Sequence, residues 1–98
     1  MNMQAIMKQA QKMQKDMMNI KEEIDNTEFV GESSLVKVTV KGTKEVVKVQ
    51  INADSLEKED IEMLEDILTV AINNAMKEID KETEQKMGKY TQGMPGLF

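Results

Sequence analysis

An apolar repeat in the first 25 residues constrains the fold more than any other feature of the chain. Its members fall alternately three and four residues apart: Met3, Ile6, Ala10, Met13, Met17, Ile20 and Ile24. Such spacing places these side chains along one seam of an α-helix. We expect a continuous helix to about Asp25, roughly 35 Å long at 1.5 Å per residue. A helix of that length must overhang the core of so small a domain or lie against a second chain.

After Thr27 the apolar pattern changes from a helical period to a strand period. Two runs alternate apolar with polar residues, one at Val36, Val38 and Val40 and the other at Val47, Val49 and Ile51. These two predicted strands are joined by a short turn that contains Gly42. A shorter run at Phe29 and Val30 predicts one more strand. The pattern favours a three-stranded antiparallel sheet with one covered face.

A second long helix is predicted after the sheet. A helix-start signal begins at Asp54, with Glu57 three residues later, and the helix is expected to run to about Met87 and end at Gly88. Its apolar residues cover about half of a helical wheel, which is wide enough to contact both the sheet and another helix. The Gly and Pro residues from about position 88 predict a mobile tail. The whole chain, 1–98, is therefore expected to form a single α+β domain.

The composition excludes most catalytic and metal-binding chemistry. The chain contains no Cys and no His, so thiol nucleophiles, imidazole bases and zinc sites are absent. We interpret the carboxylates around Glu57 to Asp66 as solvated side chains near the start of a helix, rather than as a metal site. No apolar run approaches the roughly 20 residues that cross a bilayer. We expect a soluble cytoplasmic protein with no enzyme activity, no cofactor, no metal, no membrane contact and no small-molecule substrate.

The charge is distributed in blocks although the net charge is only −5. Lys8, Lys12 and Lys15 share an arc of about 60° on the predicted first helix, opposite the apolar seam. We call these three residues the lysine stripe. No carboxylate occurs among residues 1–15. The stripe is either an ordinary solvated face or a phosphate contact, and the absence of interspersed acids favours phosphate. Lys cannot make the bidentate guanine contact of Arg, so DNA binding should depend little on sequence.

Several segments of the chain resemble the YbaB/EbfC family of small bacterial nucleoid-associated proteins. The C-terminal segment, with Gly-Met-Pro-Gly-Leu-Phe at 93–98, is the most specific of them. The others are Met-Lys-Gln-Ala-Gln-Lys-Met at 7–13, Leu-Val-Lys-Val-Thr-Val at 35–40, Glu-Met-Leu-Glu-Asp at 62–66, Ala-Ile-Asn-Asn-Ala at 71–75 and Lys-Met-Gly-Lys-Tyr at 86–90. The similarity covers essentially the whole chain.

The resemblance implies a helix, sheet and helix fold in a tweezer-like homodimer. It also implies binding to double-stranded DNA without a strict sequence requirement, a place in the nucleoid, and roles in nucleoid organisation and gene regulation. Binding in the family is attributed to helical arms. By position this implies DNA contacts for the lysine stripe (Lys8, Lys12 and Lys15) and also for Lys86 and Lys89.

The residues themselves also favour a homodimer, because a single chain would leave most of the apolar seam and half of the second helix in water. One alternative function stays open. A dimeric adaptor that binds other proteins through Met-rich surfaces and the C-terminal tail would explain the acidity of the chain better.

Overall fold

The computed structural model describes residues 2–91 of the chain. Of the mobile tail expected from about residue 88, residues 88–91 are helical instead, and the rest lies outside the described residues. The predicted α+β arrangement is confirmed. Its elements, in chain order, are helix α1 (Met3–Asp25), strands β1 (Glu28–Ser33), β2 (Val36–Lys41) and β3 (Val46–Ile51), a short 3-10 turn (Lys58–Asp60) and helix α2 (Ile61–Thr91).

The three strands form an antiparallel sheet in the order β1-β2-β3. Its covered face centres on β2, where Val36, Val38 and Val40 are almost completely buried. Phe29 of β1 lies opposite Val40 and is also buried. All six residues of the edge strand β3 are exposed. The sheet therefore has a covered half and an uncovered half.

Helix α2 covers β1 and β2 at very short range. A Cβ atom at Gly31 of β1 would collide with the backbone of Ala71 and Ala75 on α2. Both alanines are fully buried. Glycine on the strand and alanine on the helix thus allow the two backbones to approach closely, which is a known use of glycine in strands.

Both predicted ends of α2 were wrong. The helix begins after the 3-10 turn rather than at Asp54, because the Glu57 backbone N–H donates to the Asp60 carboxylate at 2.9 Å and completes a reciprocal cap there. It continues through Gly88 to Thr91. Met87 is buried and Tyr90 packs against the same core cluster. We attribute the extension to this packing, which outweighs the weak helix propensity of one glycine.

Helix α1 overhangs the body, as the apolar repeat predicted. Ile24 is buried in the core, and Met17 and Ile20 are partly buried against it. Every residue from 3 to 15 is exposed, and we call this part of α1 the arm. The structure measures 70 × 22 × 15 Å, whereas α2 is only about 46 Å long at 1.5 Å per residue. The arm therefore extends past the end of α2.

The close approach at Gly31 leads to a stability prediction. Gly31→Ala should lower the free energy of unfolding by about 1–3 kcal/mol, because the added methyl group must displace the α2 backbone. Urea unfolding followed by far-UV circular dichroism measures the change.

Gly88→Ala is the matched control. There the nearest atom to an added Cβ is the Glu84 Oε1, at 3.3 Å, and it belongs to a flexible side chain. Alanine in a helix interior is favoured over glycine by about 0.5–1 kcal/mol, so this variant should be as stable as the parent or slightly more stable. Equal destabilisation of both variants would contradict the packing argument.

Candidate nucleic-acid interface

The arm forms a helix from local interactions, since every residue in it is exposed. Asn2 caps its N-terminus: the side-chain Oδ1 accepts a hydrogen bond from the Gln4 backbone N–H at 3.0 Å. The sequence that follows is rich in Met, Gln, Lys and Ala, all good helix formers. No acidic residue occurs in the first turn.

The structure places the whole lysine stripe on the exposed arm. Spacings of four and three residues bring Lys8, Lys12 and Lys15 onto one side of the helix. Among residues 2–91, no carboxylate lies within ion-pairing distance of any of these three ammonium groups. The arm therefore presents three positive charges to solvent without a neutralising partner.

The acidic start of α2 is remote from the stripe. Asp66 precedes Lys86 by twenty positions on α2, which is roughly 30 Å of helix. The arm lies toward the C-terminal end of α2, beyond the contact between Lys86 of α2 and Glu23 of α1. Charges are screened over about 8 Å at physiological ionic strength. The acids at the start of α2 therefore contribute little to the field near the stripe, where the nearest carboxylate in the sequence is that of Asp16, one residue after Lys15.

Lys86 has a different environment from the stripe. Its Nζ donates to the Glu23 Oε1 on α1 at 3.0 Å and lies 3.9 Å from the Glu82 Oε1 one turn earlier on α2. The hydrogen bond to Glu23 raises the pKa of Lys86 above its ordinary value, with a smaller contribution from Glu82. A raised lysine pKa means that the Lys86 ammonium group stays protonated, and so able to donate to Glu23, through neutral pH and loses its proton only in alkaline solution. Lys86 therefore connects the two helices at the base of the arm.

Lys89 remains available near the described end of α2. It is exposed, and its Nζ lies 4.9 Å from the centroid of the Tyr90 ring, which is cation–π geometry. Tyr90 itself packs against the core cluster. The ring is uncharged, and no carboxylate among residues 2–91 lies within ion-pairing distance of the Lys89 ammonium group.

The lysines of the sheet are largely matched by acids. Lys37 lies directly opposite Glu32 in the β1-β2 register, and Lys41 lies opposite Glu28. The turn residue Lys44 forms an ion pair with Asp80 of α2 at 3.5 Å. Opposite charges on neighbouring strands cancel much of each other's field. The sheet is consequently a weaker site for a polyanion than the arm.

The described residues provide little for other chemistries. No group of three or more carboxylates between positions 2 and 91 is arranged to hold a metal ion. Neither helix, as far as it is described, has a stretch apolar and long enough to cross a membrane.

The sequence did not predict that Glu23 contributes to the environment of Lys86. Glu23 is the partner that changes the role of Lys86, yet the two residues are 63 positions apart. No short-range spacing signals such a pair. The lysine stripe could be identified from the sequence because a spacing of four and three residues places side chains on one side of any helix.

A helical arm with an unpaired cationic side, attached to a small helix-sheet-helix body, is an arrangement typical of small proteins that bind a polyanion. The sequence model of the YbaB/EbfC DNA-binding family matches residues 1–94. The chain therefore belongs to the YbaB/EbfC family. This is a family of bacterial nucleoid-associated DNA-binding proteins and not a family of enzymes.

The relatives and a solved structure agree with this assignment. A nucleoid-associated protein of Lactococcus lactis subsp. cremoris strain MG1363 is 50% identical over 97 residues, covering 97% of this chain and 98% of its own. One from Enterococcus faecalis is 45% identical, with coverages of 98% and 94%. The crystal structure of an uncharacterized protein, HP0035, from Helicobacter pylori matches with a TM-score of 0.74 at 25% identity, covering 92% of this chain and 97% of that one.

The contrast between Lys86 and Lys89 can be tested on duplex DNA. Lys89→Gln should make the dependence of log affinity on log salt shallower by about 0.9 for each phosphate that the variant no longer neutralises. Lys86→Gln should leave this slope unchanged, because Glu23 already holds the ammonium group. Fluorescence titrations at several salt concentrations give both slopes, and the double variant Lys86→Gln with Glu23→Gln controls for the freed carboxylate. An equal flattening by Lys86→Gln would show that Lys86 also binds DNA.

Proposed function

We propose that this protein binds duplex DNA in the bacterial nucleoid through the lysine stripe, with little sequence preference. The observation that carries the proposal is the exposed arm with three unpaired lysines and no carboxylate. Membership of a DNA-binding family and the names of the relatives support it. A role in nucleoid organisation and gene regulation follows from binding of this kind at many sites.

The chemistry of the stripe supports sequence tolerance. Most contacts that position a protein on DNA go to phosphate and sugar and carry no sequence information. Lysine meets phosphate as a point charge, whereas direct guanine reading favours the planar fork of arginine. The chain has thirteen basic residues and all of them are lysine. We therefore assign the stripe to phosphates, with Lys89 as an additional contact.

We also propose that the DNA-binding unit is a homodimer. Ile51 and Val49 lie opposite Val36 and Val38 in the β2-β3 register and so belong to the covered face of the sheet. The β2 residues are buried, yet Val49 and Ile51 are each 43% exposed. Helix α2 packs on β1 and β2 but makes little contact with β3. We infer that a second copy of the chain covers the part of the sheet at β3 that α2 leaves exposed.

Further apolar side chains extend the uncovered surface. On α2, Ile61 is exposed, and Leu68 and Ile72 are only partly buried. A core this small gains stability from a partner that removes such side chains from water, at about 25 cal/mol per Å². Dimerisation would bring two arms into one particle, a tweezer-like arrangement with six stripe lysines. Two arms raise the affinity for one duplex beyond that of either arm alone.

The DNA proposal predicts a steep dependence on salt. The six stripe contacts of a dimer, without any contribution from Lys89, correspond to a log–log slope of roughly −5, so affinity should fall at least on the order of a thousandfold between about 50 and 200 mM salt. Changing Lys8, Lys12 and Lys15 together to Gln should flatten this slope to a small fraction of its value. Binding to two unrelated duplexes should weaken by the same factor, as measured by fluorescence titration.

The control is the double variant Lys37→Gln and Lys48→Gln on the outer face of the sheet. It removes two lysines outside the arm, of which Lys37 lies opposite Glu32. The salt slope and the DNA affinity of this variant should stay near those of the parent protein. If the triple variant also behaves like the parent, the stripe is only a solvated surface. In that case the adaptor function, which would use the exposed apolar side of the arm at Met3, Ile6 and Met13, takes precedence.

The homodimer proposal is tested by a charge placed on β3. Val49→Lys should halve the mass measured by light scattering behind gel filtration, or unfold the chain, because the lysine would have to enter the interface between copies. Val30→Lys is the matched control. Val30 is 40% exposed on β1, and its substitution on the open outer face should leave the mass at twice that of the chain. A monomeric parent protein, or equal tolerance of both changes, would contradict the proposal.

A further inference from the structure

The sulfur chemistry of this chain is concentrated on the arm and its base. The chain has ten Met and no Cys, so thioethers are its only oxidisable sulfur groups. Met3, Met7, Met13 and Met18 of α1 are between 41% and 69% exposed, whereas Met87 in the core is 3% exposed. Oxidation of methionine depends on access of the oxidant to sulfur. These four are therefore the accessible thioethers of α1, three on the arm and Met18 at its base, and for brevity we call all four the arm methionines.

The reaction is a two-electron oxidation. A lone pair of the thioether sulfur attacks one oxygen of hydrogen peroxide, the S–O bond forms and the O–O bond breaks. Hydroxide leaves and takes the remaining peroxide proton, giving the sulfoxide and one molecule of water. Sulfur is oxidised and the peroxide is reduced, and reductases specific for methionine sulfoxide reverse the change.

The arm is unusually sensitive to such a change. All of its residues are exposed, and a helical stretch this short is marginal in water by itself. Apolar side chains three and four residues apart stabilise such helices. The arm has several of these pairs, namely Met3 with Ile6, Met3 with Met7, Ala10 with Met13 and Met13 with Met17. Because each pair includes an arm methionine, conversion to the polar sulfoxide weakens all four even if Met17 is spared.

We propose that the arm methionines are a reversible oxidation site, at which sulfoxide formation frays the arm and lowers its affinity for DNA. The second half of this inference rests on the proposed DNA binding by the lysine stripe. Fraying disperses Lys8, Lys12 and Lys15 from one side of a helix without removing any charge. A duplex then meets three lysines in a disordered segment and must order them on binding, which costs conformational entropy.

The test treats the full-length protein with hydrogen peroxide and locates each added oxygen by peptide mass spectrometry. The arm methionines should be oxidised well before Met87. Far-UV circular dichroism should show a loss of helix, and affinity for a duplex should fall about threefold to tenfold. A methionine sulfoxide reductase should restore both.

The matched control changes all four arm methionines to Leu. Leucine has a similar volume and helix propensity but cannot be oxidised, so peroxide should leave the helix content and DNA affinity of this variant unchanged. Met63 on α2 is also exposed and stays in the variant, so any effect of oxidation there appears in both proteins.

The outcomes separate this inference from the DNA proposal. Sulfoxides on the arm with no change in helix content or affinity would overturn the inference, and so would oxidation of Met87 at the same rate. Equal effects of peroxide on the leucine variant would place the sensitive sulfur elsewhere. If untreated protein does not bind DNA, the DNA proposal fails by itself, while the order of oxidation and the loss of helix still test the arm.

Discussion

The contact between α2 and β1 at Gly31 is the constraint on which the rest of the structure depends. Gly31, Ala71 and Ala75 bring the backbones of helix and strand together without intervening side chains. This contact positions α2 over only two of the three strands. It also directs the second half of α2 beyond the sheet, where Met87 and Tyr90 pack with Ile24 in one cluster. The base of the arm is therefore joined to the core through Ile24 and to α2 through the ion pair of Glu23 with Lys86.

The length of α2 reconciles an acidic chain with the binding of a polyanion. The carboxylates near the start of α2 and the lysine stripe lie at opposite ends of an elongated molecule of 70 Å. At that separation their interaction is almost fully screened. Glu23 is an acid close to the base of the arm, and Lys86 pairs with it. Net charge is therefore a poor guide to the partner of this protein, because phosphates respond to the charges nearest to them.

Two apolar surfaces are exposed among residues 2–91, and they have different consequences. The surface on β3 and α2 is continuous with the core, and a second copy covers it in the proposed dimer. The surface along the arm is separate from the core and consists mainly of Met and Ile side chains. Methionine adapts to varied partners and is chemically alterable. The same arm therefore combines a proposed DNA contact with an exposed oxidisable side, and under the proposed oxidation this would let the protein respond to oxidants.

The spacing of residues close together in the sequence was enough to predict most of the secondary structure and the lysine stripe. The 3.5-residue repeat predicted α1 to Asp25, the alternation of valines predicted β2 and β3, and the stripe was identified because four-and-three spacing defines one side of any helix. A local cap decided where α2 starts, whereas only the tertiary structure decided where α2 stops, that Lys86 pairs with Glu23, and that β3 is left uncovered. The Glu57 and Asp60 cap was preferred over the signal at Asp54, and packing of Met87 and Tyr90 accounts for a helix that continues through Gly88. Periodicity is a property of neighbouring residues, whereas burial and ion pairing across 63 positions arise only when the chain is folded.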